Sequence, residues 1–262
     1  MAKLHDAQPN TRSRFVQPLV QPLIQPLIQT FTQSLMKHLS AYVLGQTCAA
    51  CALPCVGDPV CAACAGAIRT AQRCPSCGIR QFSGSLCGAC AVKPPPFEAL
   101  WCVGDFTEPL APLIAQLKFQ KRLVLARWLA GQMQARLSDQ PTSAAIDWLI
   151  PIPLHAERQK SRGFNQAWEL GKYLPYPAAP QALLRTRDTP SQRSVGAQAR
   201  FANMKHAFAV APQWQPALAG KHVLLVDDVV TTTATVTAAS AALKAAGVAR
   251  VSVVCVARAG QD

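Results

Sequence analysis

The sequence is short of acid. Thirteen aspartates and glutamates face 26 lysines and arginines, a formal net charge of +13. The excess runs along the chain, at about +3 over 1–46, +3 over 47–96 and +7 over 97–262. Such a balance predicts an anionic partner, either nucleic acid or a phosphorylated small molecule. No apolar run reaches the roughly 18 residues that a membrane-spanning helix needs, so no membrane span is expected. The first residues lack the apolar stretch and small-residue cleavage site of a secretory signal. A cytoplasmic location is therefore expected, where paired cysteines serve as metal ligands more often than as disulfides. Cysteine itself nearly vanishes beyond residue 96, where Cys102 and Cys255 alone remain and read as core residues.

What is present is enough for one sizeable α/β domain and a small accessory module: 262 residues, half of them hydrophobic. Residues 1–46 stand apart. VQPLVQPLIQPLIQ, 16–29, repeats Gln-Pro-Leu-Val/Ile with a period of four. Pro18, Pro22 and Pro26 each remove a donor and disfavour helix at the preceding residue, so this reads as a flexible or polyproline-like extension. TFTQSLMKHLSAYVL, 30–44, carries a helical apolar pattern and predicts a short helix.

Residues 47–96 hold four CxxC pairs: Cys48/Cys51, Cys61/Cys64, Cys74/Cys77 and Cys87/Cys90. The second C-x2-C-x9-C-x2-C set is the first moved by 26 residues. A CxxC turn aims two thiolates at one point, and two such turns complete a tetrahedral four-thiolate site. The repeat predicts two sequential structural zinc sites rather than interleaved ones. A closed shell of four cysteines leaves no position for catalysis. Cys55 falls outside the pattern and reads as a free small residue.

KPPPFE, 93–98, reads as a stiff linker and a domain boundary. Beyond it, 97–262 alternates: a strand over Leu100–Phe106, a helical pattern over Pro109–Leu137, a strand over Trp148–Ile152 and a helix over Asn165–Tyr173. Then come a strand over Val223–Val226, a helix over Thr235–Ala246 ending at Gly247, and a strand over Val251–Ala257. Val223–Val226 lacks polar alternation, as befits a parallel strand covered on both faces. Strand, helix, strand at that spacing is a βαβ unit. Phe119, Trp128, Trp148 and Trp168 are assigned to the core rather than to base stacking.

The chemistry gathers in VLLVDDVVTTTAT, 223–235. Ligands of parallel α/β sheets bind beyond the carboxyl ends of strands, and Asp227 and Asp228 fall there. Val229–Thr235 leads into a helix N-terminus, whose unpaired N–H groups and dipole attract phosphate. Adjacent carboxylates repel phosphate, but they suit hydroxyls or a divalent cation that itself grips phosphates. Diol at one end and phosphate close by describe a ribose 5-phosphate.

This stretch resembles the phosphoribosyl-pyrophosphate (PRPP) motif of type I phosphoribosyltransferases, which usually ends in T-T-G-x-T. LIPIPLHAERQKSRGFNQAWEL, 149–170, and LLRTRDTPSQRSVGAQARFANMKHAF, 183–208, are similar to signatures of the ComF family. That family joins a phosphoribosyltransferase-like domain to an N-terminal zinc ribbon, and its members include bacterial competence proteins. The resemblance covers roughly 47–258. It implies an α/β fold in which a type I phosphoribosyltransferase-like parallel sheet is flanked by helices and preceded by a small Cys-rich zinc-ribbon module. The implied domains are 1–46 as an extension, 47–96 as a double zinc ribbon and 97–262 as the phosphoribosyltransferase-like part.

By position, the resemblance assigns Asp227 and Asp228 to the ribose hydroxyls. It assigns Val230, Thr231, Thr232, Thr233, Ala234 and Thr235 to the 5-phosphate, through backbone N–H groups and hydroxyls. His155, Arg158 and Arg162 match the pyrophosphate loop, where arginines clamp a diphosphate bidentately. Arg193 belongs to a basic stretch, 185–205, that forms a mobile hood in type I enzymes and otherwise reads as a solvated face. Mg2+ would accompany PRPP. The implied partners are PRPP or another phosphorylated ribose ligand, single-stranded DNA and DNA-processing proteins. Turnover is one reading; a non-catalytic nucleic-acid module that retains a phosphorylated ligand is the other. One departure stands out: the family glycine is Thr233 here. A β-branched residue resists positive φ, which predicts a changed loop or weaker phosphate binding.

Overall fold

A computed structural model describes residues 46–68, 71–81, 83–139, 145–186 and 207–260. The repeat over 16–29, the helix expected over 30–44 and most of the expected hood, Arg193 included, lie outside the described residues. Residues Thr47–Asp262 form one compact unit.

Its frame is a parallel sheet of four strands: β1 (Ala99–Asp105), β2 (Trp148–Pro151), β5 (His222–Val230) and β6 (Arg250–Arg258). The spatial order is β1-β6-β5-β2. The central strands β5 and β6 are buried along almost their whole length, as their unbroken Val/Leu runs predict. β5 and β6 are joined through α8 (Ala234–Ala245), which closes at Gly247 with φ +89°. A short antiparallel pair, β3 (Leu183–Arg185) and β4 (Phe208–Val210), adds a second sheet absent from the sequence reading.

Helices cover both faces. α8 lies on one face, where Val236, Ala239 and Leu243 meet Val223, Leu225 and Val253. The other face carries α3 (Leu110–Phe119), α4 (Val124–Ser138) and α6 (Gln166–Gly171). The helical pattern expected over Pro109–Leu137 is thus two helices. The break has no glycine or proline. Lys121 turns left-handed at φ +54°, and Arg122 bonds back to the Gln116 side chain at 2.8 Å. The buried stripe Leu110, Leu113, Ile114 and Leu117 pins α3 to the sheet, each side chain worth roughly 1.5–3 kcal/mol.

The cysteine modules, with short helices α1 (Ala62–Gly66) and α2 (Gly88–Val92), pack directly on this frame. Cys48, Cys55 and Val60 share one core cluster with Leu110, Leu113 and Leu129. Phe97, inside the expected linker, is buried in the other.

Candidate functional site

The first two candidates are the cysteine groups. Sγ atoms of Cys48, Cys51, Cys61 and Cys64 converge within 4.8 Å, and those of Cys74, Cys77, Cys87 and Cys90 do the same. The groups are sequential, as the 26-residue repeat predicts. A tetrahedron with Zn–S bonds near 2.3 Å has sulfur–sulfur edges of about 3.8 Å. Cys51 and Cys61 sulfurs stand 3.8 Å apart, and Cys77 and Cys87 sulfurs 3.6 Å. Burial alone would raise the Cys48 thiol, but N–H groups of Cys61, Cys51 and Ala50 outweigh it and bring it down to about 6. Cys64 is pushed up to about 12, first by hydrogen bonds to Cys61 and Cys51. Four thiols crowded at one point are a donor set suited to a soft divalent cation. Cys55 keeps out of the set, its thiol donating to the Asp58 carbonyl at 3.3 Å.

The third candidate lies at the carboxyl end of the parallel sheet. β5 does not stop at Val226. Pairing with β6 continues to Val230 opposite Arg258, so both acids ride inside the strand rather than beyond it. Asp228 is buried and its Oδ2 meets Lys118 Nζ of α3 at 2.5 Å. Asp227 Oδ1 accepts the Asp228 N–H, and Asp228 Oδ1 accepts the Val229 N–H, both at 2.8 Å. Burial first, and the Asp228 charge second, push the Asp227 carboxyl up to about 8. A carboxyl so placed favours a ligand that donates hydrogen bonds or brings positive charge.

The strand then turns through Thr231–Thr233 into α8. Thr233 adopts φ −68° and ψ 3° and does not spend its hydroxyl on capping the helix. The positive φ that would have demanded glycine is absent, so threonine is unstrained there. Thr231 is exposed and Thr232, Thr233 and Thr235 half-buried, so hydroxyls stand beside the unpaired first-turn N–H groups. Val230 and Ala234 have buried side chains and offer the turn backbone only.

The expected pyrophosphate loop is largely a helix, α5 (Ala156–Arg162), after β2. His155 Nδ1 caps it by accepting the Glu157 N–H at 3.3 Å. Arg158 and Arg162 are one turn apart on α5. Arg162 bonds the Gln166 side chain at 3.0 Å and feels the charges of Asp228 and Arg158. Its guanidinium also lies 5.5 Å from the centroid of Phe119, a ring that is 70% exposed. Phe119 is therefore a surface residue and not part of the core: two residues past Leu117, it falls off the buried stripe of α3. Trp128 and Trp148 do pack against the core.

Two residues at this end went unnoticed in the sequence. Lys118 follows Ile114 by four and so occupies the apolar stripe of α3, where a charge is out of pattern. Arg258 ends the buried run of β6 and is 4% exposed. Each had a signal, a charge at an apolar position.

Comparison with known proteins follows this geometry. Residues 188–262 match the phosphoribosyl transferase domain family. DNA utilization protein YhgH of Shigella flexneri is 36% identical over 176 residues, 64% of this chain and 76% of the relative. Its Escherichia coli (strain K12) counterpart is 35% identical over the same shares. Competence protein F of Haemophilus influenzae is 32% identical over 186 residues, 68% of this chain and 81% of the relative. A solved structure described as the allosteric regulatory enzyme of purine biosynthesis is 21% identical, with a TM-score of 0.31 over 50% of this chain and 25% of that one. With paired four-cysteine groups ahead of a parallel sheet that ends in an acid pair and a threonine turn, and with identity of this order across three quarters of those relatives, the chain belongs to the ComF family.

Proposed function

We propose that this protein binds PRPP, with Mg2+, at the Asp227–Thr235 turn, and that it works in the cytoplasm in competence, DNA uptake or DNA processing. The carrying observation is the juxtaposition of an acid pair near the end of β5, in which Asp227 has a raised pKa, with an uncapped helix start rich in hydroxyls. Asp227 and Asp228 accept the ribose hydroxyls. Backbone N–H groups of 231–235 and hydroxyls of Thr231, Thr232 and Thr235 hold the 5-phosphate. Arg158 and Arg162 face the diphosphate, and His155 orients their helix. Asp227 and Asp228 would help to hold Mg2+, which would supply charge neutralisation for the diphosphate. Zinc fills both four-cysteine groups as a structural ion. Should transfer to an acceptor occur, the transition state is cationic at the sugar, and Asp227 and Asp228 would stabilise it while the arginines hold the leaving diphosphate. Calorimetric titration with PRPP, with and without Mg2+, tests the reading. Micromolar, Mg2+-dependent binding is expected, lost in the Asp227→Asn/Asp228→Asn double variant. An absence of heat in the wild type would refute it.

A second reading, single-stranded DNA binding, is favoured by one observation. Phe119 presents an exposed face with Arg162 beside it. Residues 118–127 and 155–163 around it carry seven lysines and arginines against one acid, Glu157. Interleaved cations and an aromatic platform suit a single strand. An oligothymidylate anisotropy titration should weaken steeply with salt. Phe119→Ala should cost roughly 1–3 kcal/mol of affinity; unchanged binding in that variant would remove this reading.

A further inference from the structure

Arg258 touches two sites at once. Its Nε donates to the carbonyl of Cys77, a member of the second four-cysteine group, at 3.1 Å. Its Nη1 donates to the carbonyls of Val230 at 3.2 Å, of Ala259 at 2.5 Å and of Thr231. The side chain is almost fully buried. Among its described hydrogen bonds every acceptor is a backbone carbonyl. The acid in register with it on β1, Asp105, is held instead by Arg73 at 2.6 Å and Arg80 at 3.0 Å.

The cysteine turn that Arg258 grips has little freedom. Arg73 Nη1 takes the neighbouring Gly78 carbonyl at 3.0 Å. Gly78 has φ +69°, and a Cβ there would come within 2.6 Å of the Leu100 side chain on β1. The Cys77–Gly78 turn is thus pressed against the sheet at the foot of the 230–235 turn. A guanidinium is a rigid planar fork, so its donors cannot be aimed independently. Shifting Cys77 moves Nε, and with it the Nη1 that holds Val230 and Thr231.

We propose that Arg258 couples the second four-cysteine site to the 230–235 turn, so that metal at one and a phosphorylated ligand at the other stabilise each other. The proposal rests on the reading of that turn as a phosphate site. Metal fixes the Cys77 carbonyl, the carbonyl fixes Arg258, and Arg258 holds the turn in the shape the phosphate meets. By linkage the effect is reciprocal: bound ligand must raise the second site's affinity for metal by the same factor, and slower metal release is the proposed form of that gain. Among the described residues no single side chain bridges the first site to the 230–235 turn; its Ala49 carbonyl accepts from Gln116 of α3 at 2.6 Å. Coulomb repulsion between an anionic zinc–thiolate centre and a phosphate has the opposite sign. The experiment therefore reads a sign as well as a size.

Zinc release from the fully loaded protein to a chromogenic chelator is followed with and without Mg2+ and PRPP. Release from the second site should slow roughly 5- to 150-fold at saturating PRPP, the usual span of such couplings. The first site's rate should stay unchanged; repeating the assay on Cys48→Ser, which keeps only the second ion, assigns the phases. Arg258→Lys keeps the charge but cannot span both sets of carbonyls, so the protection should fall below about twofold. Equal release with and without bound PRPP, faster release with it, or full protection in Arg258→Lys would each overturn the coupling. If Arg258→Lys does not fold, the wild-type comparison decides alone. Calorimetry run alongside separates the two claims. An absence of PRPP heat refutes the phosphate-site reading, and inorganic phosphate then serves as probe; release unchanged by phosphate also overturns the coupling.

Discussion

Asp227 is a carboxyl held where its charged form is penalised. Its pKa rises to about 8, so the folded chain binds that proton more tightly than the unfolded chain. Stability from this group is complete below the unfolded value of 3.8, declines as pH rises from there to about 8, and is flat beyond. Asp227→Asn removes the penalty. Its melting temperature should exceed the wild type's at pH 8–9, by roughly 2–4 °C per kcal/mol gained, and match it below pH 4. Identical melts at pH 9 would show that Asp227 carries no such cost. Lys118 is the counterweight. Lys118→Met strands the buried Asp228 charge and should lower stability by roughly 1–3 kcal/mol at neutral pH, less than the 3–5 of a fully enclosed pair. Urea unfolding checks it, and a loss that persists undiminished in acid would point to packing instead. The acid pair was legible because two carboxylates at the end of an apolar strand have no packing role. Lys118 left a signal, a charge on an apolar stripe, but not its partner, since only the folded helix shows which side of α3 faces the pair.

The turn from β5 into α8 was legible as an element, and of the two outcomes expected at Thr233, a changed loop or weaker phosphate binding, its φ of −68° fits the first. Its residue types announced a strand feeding a helix N-terminus. The resembled motif has glycine where Thr233 stands; were Thr233 forced to positive φ there, Thr233→Gly should tighten phosphate. At φ −68° that reason disappears. Thr233→Gly should leave PRPP affinity within about twofold and cost a few tenths of a kcal/mol at the helix start. A several-fold gain in the calorimeter would restore the original argument. The neighbouring elements differ for physical reasons too. β5 runs four residues past Val226 because β6 offers it a partner as far as Arg258, a long-range pairing that no local pattern records. The α3–α4 break depends on a single left-handed lysine, which propensity does not foresee. Period-two and period-3.6 patterns located the sheet and its helices; pairing and tertiary contact set where they end.

At the scale of the whole molecule, the cysteine modules form part of the same packed body as the sheet. Cys48, Cys55 and Val60 lie in one apolar cluster with α3 and α4. Arg73, Arg80 and Arg258 tie the second module to β1, to β6 and to the turn after β5. Structural zinc in such a site is folding free energy. If the modules were tethered by a linker alone, stripping metal would unfold them and leave the sheet's melting untouched. Shared packing predicts otherwise. Metal removal by a strong chelator should lower one cooperative transition, seen at the same temperature by tryptophan fluorescence and far-UV circular dichroism. Cys48→Ser should lose about one of two zinc ions and shift that transition part of the way. A chelated protein whose main transition stays put would mean that the shared core contributes little. The aliphatic stripe of α3 would then hold to the sheet without Cys48, Cys55 and Val60 beneath it.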